Sequence, residues 1–173
     1  MRQFALLLLL CLIVLGCQSI VTPEHQLSDQ AGLFERIKGK ISISGQPSSF
    51  SFDWYHTDDS HHLRFSSFGL VVAEVAAKGS DITIQTGDGQ TWNQASAQLW
   101  MEANLGIALP LQSVAFWLSG RPDPGHPSIT QVNSFSQLGW QVNVNRFHRL
   151  GYPQKLTLEK SGIKAKIAVS LWQ

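Results

Sequence analysis

From Lys40 onward the chain alternates. Ile41 and Ile43 sit among Lys40, Ser42 and Ser44, and Phe50, Phe52 and Trp54 among Ser51, Asp53 and Tyr55. Leu63 and Phe65 alternate with His62 and Arg64, and Ile82 and Ile84 with Thr83 and Gln85. A period of two places each apolar set on one face of a strand. Gly45-Gln46-Pro47, Thr57-Asp58-Asp59 and Gly87-Asp88-Gly89 punctuate these runs, so the pattern predicts an antiparallel meander with one dry face. One turn breaks the rule. Between the alternating arms Arg64–Ser66 and Val71–Val75, Ser67-Phe68-Gly69-Leu70 places two large apolar residues where a turn ordinarily exposes polar ones.

The period changes in the middle of the chain. Leu99, Trp100, Ala103 and Leu105 have near-helical spacing within Ser96–Leu105, with Gly106 as a stop signal. Pro110 opens a second helix over Leu111–Leu118, crowded with Leu111, Val114, Phe116, Trp117 and Leu118 and ended by Gly120. Arg121–Gly125 reads as a loop. Strands resume near Ile129–Asn133, Trp140–Phe147, Leu156–Glu159 and Ile163–Leu171, the last two joined by Lys160-Ser161-Gly162. Ahead of the meander, the spacing of Leu27, Phe34 and Ile37 predicts a short entering helix. The expected architecture is mainly β: a curled antiparallel sheet whose helical insertion covers one mouth of an incomplete barrel. If sheet and helices meet tightly they form a core; if not, they enclose a pocket.

The N-terminus belongs to neither pattern. Met1-Arg2-Gln3 is a short positive start and Phe4–Leu15 an unbroken apolar run. That length suits a signal-peptide core and falls short of the roughly 20 residues that span a bilayer. It ends in Val14-Leu15-Gly16-Cys17, which resembles the bacterial lipobox, whose cysteine is acylated after cleavage. Residues 1–16 are therefore expected to be a lipoprotein signal peptide, 17–32 a lipidated polar tether and 33–173 one folded domain. Gln18, rather than aspartate, follows Cys17, and by the enteric sorting rule that points to the outer membrane. An ordinary secretory signal would instead leave one unpaired thiol in an oxidising compartment.

Composition narrows the function. Charged residues are 14% of the 173, against roughly 25% in soluble domains. Losing Arg2 with the signal leaves the remaining basic side chains balanced against 12 acidic ones. Such a surface has no long-range field to attract nucleic acid. Six Trp and nine Phe accompany that low charge, so apolar surface is being used for something. With Cys17 acylated and Cys11 inside the signal, no cysteine remains for a disulfide, nucleophile or metal.

HTDDSHH, His56–His62, is the one candidate metal cluster. Asp58, Asp59 and Ser60 are turn formers, however, and a hairpin tip would leave the imidazoles solvated and mobile, without the support metal ligands need. Parity sends Asp53 and Glu74 outward, which gives no paired-carboxylate site. Neither an enzyme, a metal nor a cofactor is expected. Phe50, Phe52, Trp54, Phe65, Trp100, Phe116 and Trp117 either fill a core or line a cavity for alkyl chains.

Several segments together resemble the LolB family of outer-membrane lipoprotein receptors. They are the lipobox, Arg36-Ile37-Lys38-Gly39, Phe52-Asp53-Trp54, Ser67-Phe68-Gly69, Leu109-Pro110-Leu111, Phe116–Pro122 and the terminal Leu171-Trp172. The L-P…W-L-x-G-x-P segment is the most specific. The resemblance implies an unclosed β-barrel with a helical lid around a hydrophobic cavity. It implies a monomeric receptor that takes acylated lipoproteins from the periplasmic carrier LolA and inserts them into the outer membrane without nucleotide hydrolysis. Ile41, Ile43, Phe50, Phe52, Trp54, Leu63 and Phe65 are then candidates to line the acyl cavity. So are Ile82, Ile84, Leu99, Trp100, Val114, Phe116 and Trp117.

Phe68, Gly69 and Leu70 would form the membrane-insertion loop, with Phe68 in place of the family's usual leucine; the other reading folds that loop back as a plug. An outer-membrane lipoprotein serving as a structural or assembly-factor subunit, with a filled core, is the competing function.

Overall fold

The computed structural model describes residues 34–46, 49–57 and 60–173. The expected signal peptide, Cys17, the tether, Leu27, Pro47, Asp58 and Asp59 lie outside the described residues. Among the described residues, eleven strands and two helices follow in order: β1 (Arg36–Ile43), β2 (Ser49–His56), β3 (Ser60–Ser67), β4 (Leu70–Lys78), β5 (Asp81–Thr86), β6 (Thr91–Asn93), α1 (Ala95–Leu105), α2 (Leu111–Leu118), β7 (Ser128–Gln131), β8 (Ser134–Gln137), β9 (Trp140–Phe147), β10 (Pro153–Lys160) and β11 (Ile163–Trp172).

The strands form one antiparallel sheet in the order β6-β5-β4-β3-β2-β1-β11-β10-β9-β8-β7. Every neighbour except β1 and β11 is also a neighbour in sequence, so hairpins build nearly the whole sheet. Its two edges, β6 and β7, do not pair, and the barrel is unclosed. The chain passes from one edge to the other through α1, α2 and the loop before β7, so the helices are the part of the chain that spans the opening.

Alternation decides which face is dry. Ile41 and Ile43, Phe52 and Trp54, Leu63 and Phe65, and Val75 and Ala77 are buried, while their neighbours are more exposed. Large side chains are matched with small ones across the ladder. Phe65 faces Ala73 and His61 faces Ala77 in the β3–β4 register. On the outer face Arg36 donates twice to Asp53, at 2.9 and 2.8 Å, and Lys38 approaches the same carboxylate at 3.1 Å. The Arg36 hydrogen bonds, supported by Lys38, hold the Asp53 carboxyl below the ordinary range despite its partial desolvation. Arg64 pairs with Glu74 at 2.7 Å. Both carboxylates thus face outward, Asp53 in a half-buried pair and Glu74 in an exposed one of the kind that contributes little to stability.

The expected entering helix is corrected at Phe34 and Ile37. Ile37 lies in β1, fully buried, opposite Trp54 on one side and Trp172 on the other. The strand's inward positions are Ile37, Gly39, Ile41 and Ile43. Gly39 breaks the apolar alternation, which hid the first half of the strand. The short strands β6 and β8 were also not anticipated; each carries one apolar side chain, too few to show a period. Among the described residues no helix is long and apolar enough to cross a membrane.

Candidate functional site: a roofed apolar interior and an outward hydrophobic turn

The inner face of the sheet and the underside of the helices meet closely. Between them remains a hollow of about 20 Å³, lined by Ile41, Phe52, Trp54, Leu63, Phe65, Leu109, Leu111, Val114, Leu118 and Ile167. That is room for about one water. Six of these side chains are among the cavity residues expected from the sequence. Leu109, Leu111, Leu118 and Ile167 are not among the expected cavity residues; Leu111 and Leu118 lie in the apolar helix, Ile167 in the terminal strand and Leu109 just ahead of the helix. Ile43, Ile84, Trp100 and Trp117 are buried in the same cluster, and Phe50, Ile82 and Phe116 pack against it partly exposed. Leu99 is corrected: it is 65% exposed on the outer side of α1. Trp100 and Met101 already occupy the inward arc of that helical turn, so their neighbour must face away.

The two helices are held differently. A polar latch ties α2 to the sheet. The Trp117 indole donates to Gln137 Oε1 at 2.7 Å, and the Asp123 backbone N–H donates to the same oxygen at 2.8 Å. Gln137 Nε2 donates to the carbonyls of Asp123 and His126, both at 2.8 Å. Ser113 on α2 donates to Asp123 Oδ2 at 2.7 Å. Nothing in a loop written Pro122-Asp123-Pro124, or in a lone glutamine on a short strand, announces this network.

The network also places a serine, a carboxylate and a histidine together, but not in a catalytic order. The Ser113 hydroxyl is committed to the carboxylate, and His126 Nε2 lies 3.9 Å from that same Oδ2. Both groups address the carboxylate, and among the described residues no hydrogen bond joins the serine to the imidazole, whereas a nucleophile needs its base adjacent.

By contrast, the side-chain hydrogen bonds of α1 among the described residues are local, Ser96 with the Asn93 backbone and Asn104 with the Trp100 carbonyl; neither helix has a side-chain N-cap, an acidic first turn or a basic last turn. Positive-φ residues bound α1, Gln94 at 46° and Gly106 at 73°. A groove runs along each flank. One, of about 780 Å³, lies toward Ile82, Leu138 and Trp140; the other, of about 840 Å³, lies toward Leu70, Val71 and Trp92.

The β3–β4 turn projects. Phe68 is 96% exposed and Leu70 74%, with Val71 also open to solvent. The plugging alternative is thereby overturned: the loop is not folded back into the mouth. The cause is local. Phe68 and Gly69 have φ of 50° and 83°, the two positive central angles of the tight hairpin turn whose twist suits its strands. That position favours Asn or Asp, and a bulky L-residue there costs of order 1–3 kcal/mol. The chain places a phenylalanine there and buries none of it.

At the other end of β3 the histidines behave unlike a solvated tip. His61 is 6% exposed, because position 61 shares the inward parity of Leu63 and Phe65. The Trp54 indole donates to His61 Nδ1 at 3.3 Å, so that nitrogen accepts, and His56 Nδ1, 3.0 Å away, must then carry the donated proton. The two rings stack with centroids 4.4 Å apart. Burial, reinforced by neighbouring His56 and His62, lowers the His61 pKa to about 4. His62 points outward. The expectation of mobile, solvated imidazoles is corrected for His61.

The site thus defines an open antiparallel half-barrel, apolar within, roofed by two helices and carrying an exposed apolar turn. The family described as outer membrane lipoprotein LolB matches residues 36–172, and the chain belongs to that family. Its relatives include the outer-membrane lipoprotein LolB of Chromobacterium violaceum, 26% identical with both chains covered in full. That of Vibrio vulnificus is 25% identical over 99% of this chain and 97% of its own. Among solved structures, the Mycobacterium tuberculosis lipoprotein LppX aligns over 80% of this chain and 86% of its own at 9% identity, with a TM-score of 0.39. The chain is thus an outer-membrane lipoprotein.

Proposed function

We propose that the protein receives acylated lipoproteins from the periplasmic carrier LolA and releases them into the outer membrane, without catalysis and as a monomer. In this reading residues 1–16 are removed, acylated Cys17 and the tether to residue 32 hold the folded domain at its destination, and the apolar interior shelters the cargo's fatty tails. Burial of acyl chains is worth about 0.8 kcal/mol per CH₂, so a chain of roughly 15 methylenes carries about 12 kcal/mol before costs. Cargo cannot leave one shelter for water. It moves between apolar surfaces held mouth to mouth and then to the bilayer, which binds it more strongly still.

The observation that carries the reading is Phe68, fully presented to solvent at a backbone position where an aromatic residue costs stability. Such a side chain suits the membrane interface. The closeness of the interior implies a shut resting state, in which the roof must lift before a chain can enter. In the test, Phe68→Glu retains acyl-probe binding but loses delivery to liposomes. Equal loss of both would return Phe68 to the fold.

The nearly filled interior favours a second reading, an outer-membrane lipoprotein that serves as a structural or assembly-factor subunit. An apolar fluorophore separates the two. Saturable binding displaced by fatty acid supports the receptor; absence of binding by the folded protein supports the subunit.

A further inference from the structure

The groove between the projecting turn and α1 holds a feature that the interior does not explain. Its walls include Leu70 and Val71 just after the turn, Trp92 on edge strand β6, and Leu99 and Trp100 on α1, with Asp88 the one charged residue among them. Trp100 belongs both to this wall and to the buried interior cluster, so the helix that roofs the interior is also one side of the groove. At the far end the groove opens beside the exposed side chains of Phe68 and Leu70. The Trp92 indole Nε1 is buried without a hydrogen-bond partner. A buried donor left unpaired is expensive and calls for an explanation.

We infer that this groove is a transit site for the cargo's ester-linked acyl chain, and that the Trp92 N–H donates to the ester carbonyl once α1 shifts and uncovers it. The assignment rests on the receptor function proposed above. Three features favour this occupant. The groove carries one charged residue, and its exposed wall is more apolar than polar, with Ser67, Thr86, Gln90 and Asn104 as its uncharged polar members. It links the roofed interior, through Trp100, to the turn that would touch lipid. Its Trp92 indole is a donor with no partner, and an ester-linked lipid brings an acceptor. With local side-chain bonds only and a groove on each flank, α1 is the movable wall, whereas the latched α2 is not.

The test uses the full lipidated chain in vesicles of phosphatidylethanolamine and phosphatidylglycerol, with a photoreactive benzophenone amino acid in place of Leu99. Leu99 is exposed, so this replacement leaves packing intact. A radiolabelled triacylated peptide and its alkyl-ether analogue, which lacks the ester carbonyls, serve as probes. During transfer, position 99 is expected to crosslink to the labelled peptide. Trp92→Phe keeps the ring and removes the donor; it should weaken ester-probe binding about fivefold and leave ether-probe binding unchanged. Leu99→Glu should slow transfer of both probes about tenfold with interior binding retained.

Crosslinking to vesicle lipid alone would overturn the inference and make the groove a membrane-contact surface. Equal weakening of both probes by Trp92→Phe would also overturn it, since the indole would then serve only packing. If the unmodified protein binds neither probe, the receptor reading itself fails. If it binds and delivers both while the Leu99 and Trp92 variants match it, only the groove is lost.

Discussion

The Trp117 indole donates to Gln137 Oε1 across 2.7 Å, joining the second roof helix to a strand next to the sheet's edge. The glutamine amide is fully used: two donors reach its oxygen, and its nitrogen reaches two carbonyls. Gln137→Leu would strand those buried partners, at about 1–3 kcal/mol for each group left unmet. The expected loss is at least about 3 kcal/mol, read as a fall in the urea midpoint. Gln137→Glu keeps the acceptor but turns its second oxygen toward the Asp123 and His126 carbonyls, so it should be no more stable than Gln137→Leu.

Gly39 is held by contact rather than by turn geometry. A Cβ there would lie 2.3 Å from the Ala168 carbonyl oxygen and 2.7 Å from the Phe52 ring. The pairing of β1 with β11 also shifts register between Lys38 and Gly39. Alanine in place of a strand glycine ordinarily stabilises, by roughly 0.5–1 kcal/mol. Here the backbone oxygen cannot yield, so overpacking decides the sign. Gly39→Ala is expected to destabilise by about 2–3 kcal/mol in equilibrium unfolding, and a neutral result would mean the β1–β11 seam is slack.

That glycine also marks where the sequence stopped being legible. Period-two runs with several apolar members, such as Leu63–Phe65 and Trp140–Phe147, could be placed because burial of one face dictates their pattern. The helices could be placed because Pro110, Gly106 and Gly120 bound them. Ile37 was misassigned because an inward glycine leaves a gap in the alternation, and β6 and β8 because one apolar residue makes no period. At the site, the unusual composition of the turn was visible, but its outward direction depends on the φ of Phe68 and Gly69. The outward face of Leu99 and the partners of Gln137 come from tertiary packing. A helix whose apolar residues lie on more than one side cannot reveal which of them faces the sheet.

His61 should make stability depend on pH. In the unfolded chain it titrates near 6.5, and in the native protein burial has lowered its pKa to about 4. Above about pH 6.5 it is neutral in both states and its contribution is constant. As pH falls through the interval, the unfolded chain takes up a proton that the native site resists, so stability declines until about pH 4 and then levels. The interval is worth about 3 kcal/mol. Its neighbours are the Trp54 N–H, which keeps Nδ1 an acceptor, and His56 and His62, whose positive forms would oppose protonation further. Because Asp53 and other carboxylates also titrate at the acid end, the informative quantity is the difference from His61→Asn. Urea unfolding at pH 7.5, 5.5 and 4.5 should show the native protein losing more stability than that variant over this range. Parallel slopes would place the pH dependence elsewhere.

Phe68 sets stability against function at one residue. Its φ of 50° lies where asparagine is comfortable and an aromatic residue is not, and its side chain gains nothing from the fold in return. Phe68→Asn should therefore raise the unfolding free energy by about 1 kcal/mol. The same change removes the apolar contact with lipid, so delivery of an acylated peptide to vesicles should slow about tenfold while equilibrium binding of the peptide stays put. Phe68→Leu, which keeps an apolar side chain at the same strained position, should leave both stability and delivery near those of the native protein. Stability and delivery thus move in opposite directions in the asparagine variant. If both instead fell together, the turn would be part of the folded framework, and Phe68 would not be a side chain held out for the membrane.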